Sequence, residues 1–205
     1  MGISAERIHV VPHFLKTTEN GVLPIREDGY ALFLGRLSAE KGVAQLLEAW
    51  GRVSHPGARL VIAGKGPEEE KLHRFARDKG LSNVEFRGFV PAEAKTDLWA
   101  GARFLIAPSI WEEPFGLVVL EAWAHGRSVI ASNRGSFPEI INAGGLLCSP
   151  DSPVEFAATI QKMFQSDDLA AKMAAAGQKQ LCASFCQEIW VNRIRSVYGD
   201  CGLKV

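Results

Sequence analysis

Seven short apolar runs punctuate the chain, at residues 8–12, 31–37, 58–64, 84–89, 102–109, 128–132 and 145–148. Taken together they read as continuous hydrophobic stretches, which predicts strands buried on both faces, as in a parallel sheet. Between the runs, apolar residues recur at helical spacing. Val43, Leu46, Leu47, Trp50 and Val53 form one stripe, and Leu72, Phe75 and Ala76 form another. Pro67 and the acidic Glu68, Glu69 and Glu70 mark the start of the second helix, where a fixed φ and negative charge suit the first turn. Further helices are expected after Pro91, Gly116 and Pro153. Strands alternating with helices of this length predict βαβ units and an α/β fold built on a doubly wound parallel sheet. Beyond Asp151 the strands stop. Residues 154–165, 169–183 and 186–198 predict three successive helices around the sheet edge, the last with a wide apolar face of Ile189, Trp190, Ile194, Val197 and Tyr198.

Composition narrows the class. The 205 residues are 47% hydrophobic and 22% charged, ordinary for a soluble globular protein with a sizeable core. Lys plus Arg balances Asp plus Glu at 23 each, and no basic run occurs, so a nucleic-acid partner is not expected. No apolar run approaches a membrane span and no signal-like segment opens the chain. Cys148, Cys182, Cys186 and Cys201 form no CxxC pair, which predicts reduced thiols and a cytoplasmic location. Residues 16–29, with Thr17, Thr18, Asn20, Gly21, Pro24 and Gly29, predict a hinge or linker after the first short strand.

Ligands of open α/β sheets sit at the carboxyl ends of the strands, and three loops there carry candidate chemistry. In "LGRLSAEKGV" Gly35 ends a strand, and Arg36 and Lys41 lie beside a helix start near Gly42. Two cations there suit a phosphate group, although a solvated charged loop fits the same residues. In "AGKGPEEEKL" Gly64 and Gly66 allow close approach to the backbone or simply a tight turn into the helix. The third loop lies in "PSIWEEPFGLVVLEAWAHG", where a helix is expected over residues 116–124 and Gly126 closes it. Glu113 just precedes that helix and Glu121 follows eight residues later, about 12 Å along the axis if the span were wholly helical. A carboxylate in so apolar a helix needs hydrogen-bond donors. A diol supplies two, and an internal salt bridge is the structural alternative. Glu112, His13, His125 and Glu139 take structural roles at the surface, in a turn, at a helix end and at a helix start. No Ser/His/Asp arrangement or metal-ligand cluster is present in the sequence, and no metal is expected. A nicotinamide-dependent enzyme is disfavoured because no Gly-x-Gly-x-x-Gly fingerprint occurs.

"GRLSAEKG", "AGKGPEEEKL", "VEFRGFV", "PSIWEEPFGLVVLEAWAHG", "SVIAS" and "GSFPEII" stand in the order and spacing of the family-four glycosyltransferases. The chain resembles that family from about residue 7 to residue 198, most specifically in the Glu113-to-Glu121 element with its Pro-Phe-Gly and the upstream Gly-Arg and Glu-Lys-Gly. These are retaining enzymes of the GT-B fold, made of two Rossmann-like halves. The resemblance implies that Arg36 and Lys41 hold the diphosphate of a nucleotide-sugar donor. Glu113, with the N–H groups of Phe115, Gly116 and Leu117, would grip the transferred sugar. Val118 would add its N–H to the phosphate site and Glu121 would take the ribose diol. Gly88 to Val90 would touch the base, with Gly35 and Gly64 lining the cofactor-like donor site. His13-Phe14, Ser128 and Ser136 depart from the family's usual Asn-Gly, Pro and Gly, the last leaving donor identity open.

The resemblance further implies that this is the donor-binding half. Residues 1–15 would end an N-terminal acceptor-binding half, 16–29 would be a linker, 30–185 the nucleotide-sugar domain, and 186–205 a crossover helix and tail. That acceptor-binding half or subunit is then the expected partner and the only route to membrane contact. Little transfer by the chain alone is expected. The competing reading is a non-catalytic Rossmann-like interaction module.

Overall fold

The structure is a computed structural model and describes residues 4, 8–16, 24–26 and 28–202. Most of the expected linker, residues 17–23 and 27, lies outside the described residues. Six parallel strands form one sheet: β1 (Tyr30–Leu34), β2 (Leu60–Ala63), β3 (Val84–Gly88), β4 (Ala102–Ala107), β5 (Ser128–Ser132) and β6 (Gly145–Cys148), in the order β3-β2-β1-β4-β5-β6. Among the described residues eight α-helices accompany them: α1 (Val43–Trp50), α2 (Glu69–Asp78), α3 (Lys95–Gly101), α4 (Leu117–Ala124), α5 (Phe137–Ile140), α6 (Pro153–Gln165), α7 (Asp167–Ser184) and α8 (Gln187–Asp200). This is the doubly wound, Rossmann-like order.

The continuous apolar runs are explained by two hydrophobic layers. Ala31, Phe33, Leu60, Ile62, Phe104, Ile106 and Ile130 point to one face and pack with α1, α2 and α6. Leu32, Val61, Leu105, Val129 and Ala131 point to the other, against α3, α4 and the end of α7. Alternate side chains of a strand leave on opposite faces, so a strand covered on both must be apolar throughout. Trp50 fills the first layer, and Trp99 and Trp123 fill the second. The Trp123 indole donates to the Gly144 carbonyl at 3.0 Å, and Gly177 of α7 lies against its ring.

Three expectations need correction. Residues 8–12 form no strand, and Ile8 and Val10 are 59% and 84% exposed. An apolar run becomes a strand only with a strand beside it; Val10 to His13 instead border a cavity with Phe115 and Ile140, and the bridge to the domain falls later, between Leu15 and Cys186. The outer strands β3 and β6 are not buried on both faces: Glu85 and Arg87 turn one face of β3 to solvent, and Leu147 does so in β6. The β1 and β4 runs also overshoot their strands, although Leu37 and Ser109 remain buried where the chain turns away. The three last helices do form: α6 packs on α1 and β6, α7 on α4, β5 and β6, and α8 on α7.

Burial pushes the Cys148 thiol from 9.0 up to about 12. The folded chain keeps that proton while an unfolded chain releases it, so stability is lost as pH rises above about 9. Arg127, pushed down to about 10 by burial, acts in the opposite sense, but only above that pH. Denaturant midpoints of the unmodified chain should therefore fall between pH 9 and pH 10. In Cys148→Ala the fall should be shallower.

Candidate functional site

β1 and β4 are neighbours from which the chain departs to opposite sides, and a crevice opens between their carboxyl ends. It has two lobes, of about 250 Å³ and about 440 Å³. Leu34, Gly35, Arg36 and Val118 line both, so the lobes form one groove. Lys41, Glu113 and Gly116 line the first lobe, and Lys65, Phe89, Lys95 and Glu121 the second.

Glycines bring the loops close enough to build this groove. Gly64 (φ +147°) abuts the Gly35 carbonyl, and a Cβ there would collide with it. The ladder between β1 and β2 continues past both strands, with Gly35 N–H donating to Ala63 O at 3.0 Å and Leu37 N–H to Lys65 O at 3.0 Å. The group that approaches the second glycine loop is therefore the chain's own β1 loop. Gly42 (φ +69°) caps α1 with its Cα over the Pro108 carbonyl, which draws the β1 and β4 loops together.

Both glutamates of the third loop are held by lysines from other elements. Lys41 Nζ donates to Glu113 Oε2 at 2.7 Å, and the Ser109 hydroxyl shares its one proton between the same oxygen, at 3.1 Å, and Glu40 O, at 3.0 Å. The Glu113 side chain is 12% exposed and Lys41 30%, so the pair is sheltered while its edge remains open to the groove. Lys95 Nζ spans both carboxylate oxygens of Glu121, at 3.3 and 3.0 Å. The internal salt bridge is thus present. It does not close the site, because Glu121 and Lys95 still line the second lobe. Arg36 makes no ion pair among the described residues. Glu40 feels its charge and that of Lys41, although the Ser38 hydroxyl is the main reason its carboxyl lies below the usual range.

The helix expected over residues 116–124 begins at Leu117, with Gly116 (φ +79°) as its cap. Glu113 stands four positions before Leu117, so the segment between the two glutamates is not helical throughout. A helix start leaves its first N–H groups without intrahelical acceptors, and here Leu117 and Val118 border the first lobe beside Arg36 and Lys41. Gly35, Gly64, Val90, Gly116, Leu117, Val118 and Glu121 all line the groove. Gly88 (φ +62°) ends β3 just before it, and Phe89 and Val90 make the wall. The Phe115 side chain turns away into a separate cavity with His13, Ser136 and Glu139, stacking edge-on with His13 and Phe185 at 5.4 and 5.7 Å. Glu112, expected only at the surface, also accepts from Gly135 N–H at 2.8 Å. His125 sits at the end of α4, stacked on Trp99, with Nδ1 2.8 Å from Glu121 O.

Sequence reasoning missed Ser109, Lys65 and Lys95, while Phe89 falls within the Gly88-to-Val90 stretch expected to meet the base. Lys95 follows the turn of Ala92–Ala94 into α3, and its partner Glu121 lies 26 residues away, so no local pattern marks it. Phe89 is 71% exposed and lines the second lobe. Among the described residues no helix is long and apolar enough to cross a membrane.

Known proteins share this architecture. A profile of the family described as "Glycosyl transferases group 1" matches residues 16–180. Glycogen synthase of Mycobacterium tuberculosis is 33% identical over 172 residues, which are 82% of this chain and 41% of that protein. The O-antigen chain mannosyltransferase B of Escherichia coli is 31% identical over 176 residues, 80% of this chain and 45% of that one. The chain thus spans less than half the length of either relative. Sucrose-phosphate synthase from Thermosynechococcus elongatus superposes with a TM-score of 0.82 at 24% identity, over 93% of this chain and 52% of the other. Anabaena HepE, solved in complex with UDP and glucose, gives 0.73 at 25% identity, over 84% and 48%. With its parallel sheet, its groove at the β1/β4 crevice and this family match, the chain belongs to the group 1 glycosyltransferases of GT-B type.

Proposed function

We propose that the groove binds a nucleotide-diphosphate sugar and that the chain supplies the donor site for retaining hexosyl transfer. The observation that carries this reading is the continuity of the two lobes across Arg36 and the start of α4. A nucleotide sugar has its charge in the middle and a hydroxylated group at each end. The groove has the complementary order: Glu113 at one end, cations and helix N–H groups between, and Glu121 at the other. Anabaena HepE, bound to UDP and glucose in its own structure, lends support.

In this reading Arg36 and Lys41, with the N–H groups of Leu117 and Val118, take the diphosphate without a metal. They stabilise it as the bond from the anomeric carbon to the phosphate oxygen breaks and negative charge accumulates. Glu113 holds sugar hydroxyls. In a front-face displacement the acceptor oxygen forms its bond on the face the leaving group vacates, and its proton passes to the departing phosphate oxygen. None of these steps requires an enzymic nucleophile. The acceptor is bound by a part of the protein, or a subunit, beyond the donor site, so transfer by this chain alone is slow. A cytoplasmic location accords with four free thiols.

The test is a comparison of thermal melts with UDP, GDP, ADP, their sugar conjugates and NAD. A ligand at 100 times its Kd adds about 2.7 kcal/mol, which for a domain of this size raises Tm by roughly 5–11 °C. One nucleotide series should produce that shift. If the folded chain shows none with any of them, it is a Rossmann-like interaction module instead.

A further inference from the structure

We infer that Lys95 is a positioning residue that gives the site its discrimination for a ribose over a 2′-deoxyribose. This rests on the donor-site reading above. Glu121 lies in α4 among Leu120, Ala122 and Trp123, with its carboxylate reaching the second lobe. An ionised carboxylate has about four acceptor directions and no donor. The Lys95 ammonium takes one on each oxygen, at 3.3 and 3.0 Å. A ribose diol, with two adjacent O–H donors, matches the directions left open. A glutamate side chain is otherwise free to swing among several rotamers, and ordering it opposes binding. Fixing both oxygens beforehand removes that opposition.

The position of Lys95 independently argues for this role. It begins α3 directly after the 3-10 turn of Ala92–Ala94. Its reward is not local, since Glu121 lies 26 residues away in sequence on another helix. Nor is it deep burial, since the two side chains remain 35% and 26% exposed, and exposed pairs add little to stability. What the pair does accomplish is to hold a carboxylate at the groove wall in one orientation. The ammonium lies at the wall as well, so the arrangement persists when the lobe fills.

The experiment measures Kd by calorimetry for the best-binding nucleoside diphosphate and its 2′-deoxy counterpart, in the unmodified chain and in Lys95→Met, Lys95→Arg and Glu121→Gln. A hydroxyl on a charged acceptor is worth about 10- to 100-fold in affinity, so the unmodified chain should prefer the ribonucleotide by that ratio. Lys95→Met should bring the ratio down to that of Glu121→Gln while leaving the affinity for the deoxynucleotide within about threefold, and Lys95→Arg should restore much of it. A merely structural lysine would weaken both ligands equally. An unchanged ratio in Lys95→Met overturns the inference while leaving the donor site standing. Failure of the unmodified chain to bind any nucleoside diphosphate removes both.

Discussion

Lys41→Ala should weaken nucleoside-diphosphate binding by roughly 30- to 1000-fold, the equivalent of about 2–4 kcal/mol. Two effects add. The first is loss of the ammonium itself beside the start of α4. The second is that Glu113, only 12% exposed and 2.7 Å from Lys41 Nζ, is left with the Ser109 hydroxyl, whose one proton the Glu40 carbonyl also draws. Its charge then faces the diphosphate and repels it. Removing that charge as well tests the second effect. Lys41→Ala combined with Glu113→Gln should bind about tenfold better than Lys41→Ala alone, an energy of about 1.4 kcal/mol. Calorimetric titration of the four proteins gives the coupling directly. Equal affinities for the single and double variants would show that the pair does not border the phosphate site.

Trp123→Ala is expected to be the most damaging single truncation in the domain. The ring is fully buried in the second hydrophobic layer, with its indole N–H satisfied by Gly144 O at 3.0 Å. Removing a buried tryptophan costs about 3–5 kcal/mol, which corresponds to a Tm lower by roughly 6–20 °C. Gly177 probes the same contact from α7, because a Cβ there would enter the Trp123 ring. Gly177→Ala should cost about 1–3 kcal/mol from overpacking, less the roughly 1 kcal/mol that alanine contributes to a helix interior. In the Trp123→Ala background the same methyl has room, so the two costs should not add. Thermal melts of the two single variants and the double variant decide this. Additive losses would mean that α7 does not rest on this ring.

The sheet was legible in the sequence because burial on both faces leaves an unbroken apolar signature, as in Ile106 with Leu105 or Ile130 with Val129. The same signature misled at residues 8–12, where Val10 is apolar but has no strand beside it. Local pattern reports what a segment prefers, and pairing decides what it becomes. The site was legible where its chemistry lies within a loop, as with Arg36 and Lys41, or Glu113 and the start of α4. It was opaque where two distant segments meet. Nothing near Glu121 in sequence announces Lys95, and nothing near Gly64 announces the Gly35 carbonyl against it. The resemblance identified Phe115 by its backbone, while its side chain stands in a neighbouring cavity with His13.

The most direct measurement is the shift of backbone amide resonances on adding a saturating nucleoside diphosphate to the isotopically labelled chain. If the groove is the donor site, Gly35, Gly116, Leu117, Val118 and Glu121 should shift most, because they line its two lobes. Gly177 and Cys148, buried in the packing behind the groove, should stay close to their unliganded positions. Saturable binding that leaves the Gly116, Leu117 and Val118 amides unmoved while shifting residues elsewhere would contradict the account.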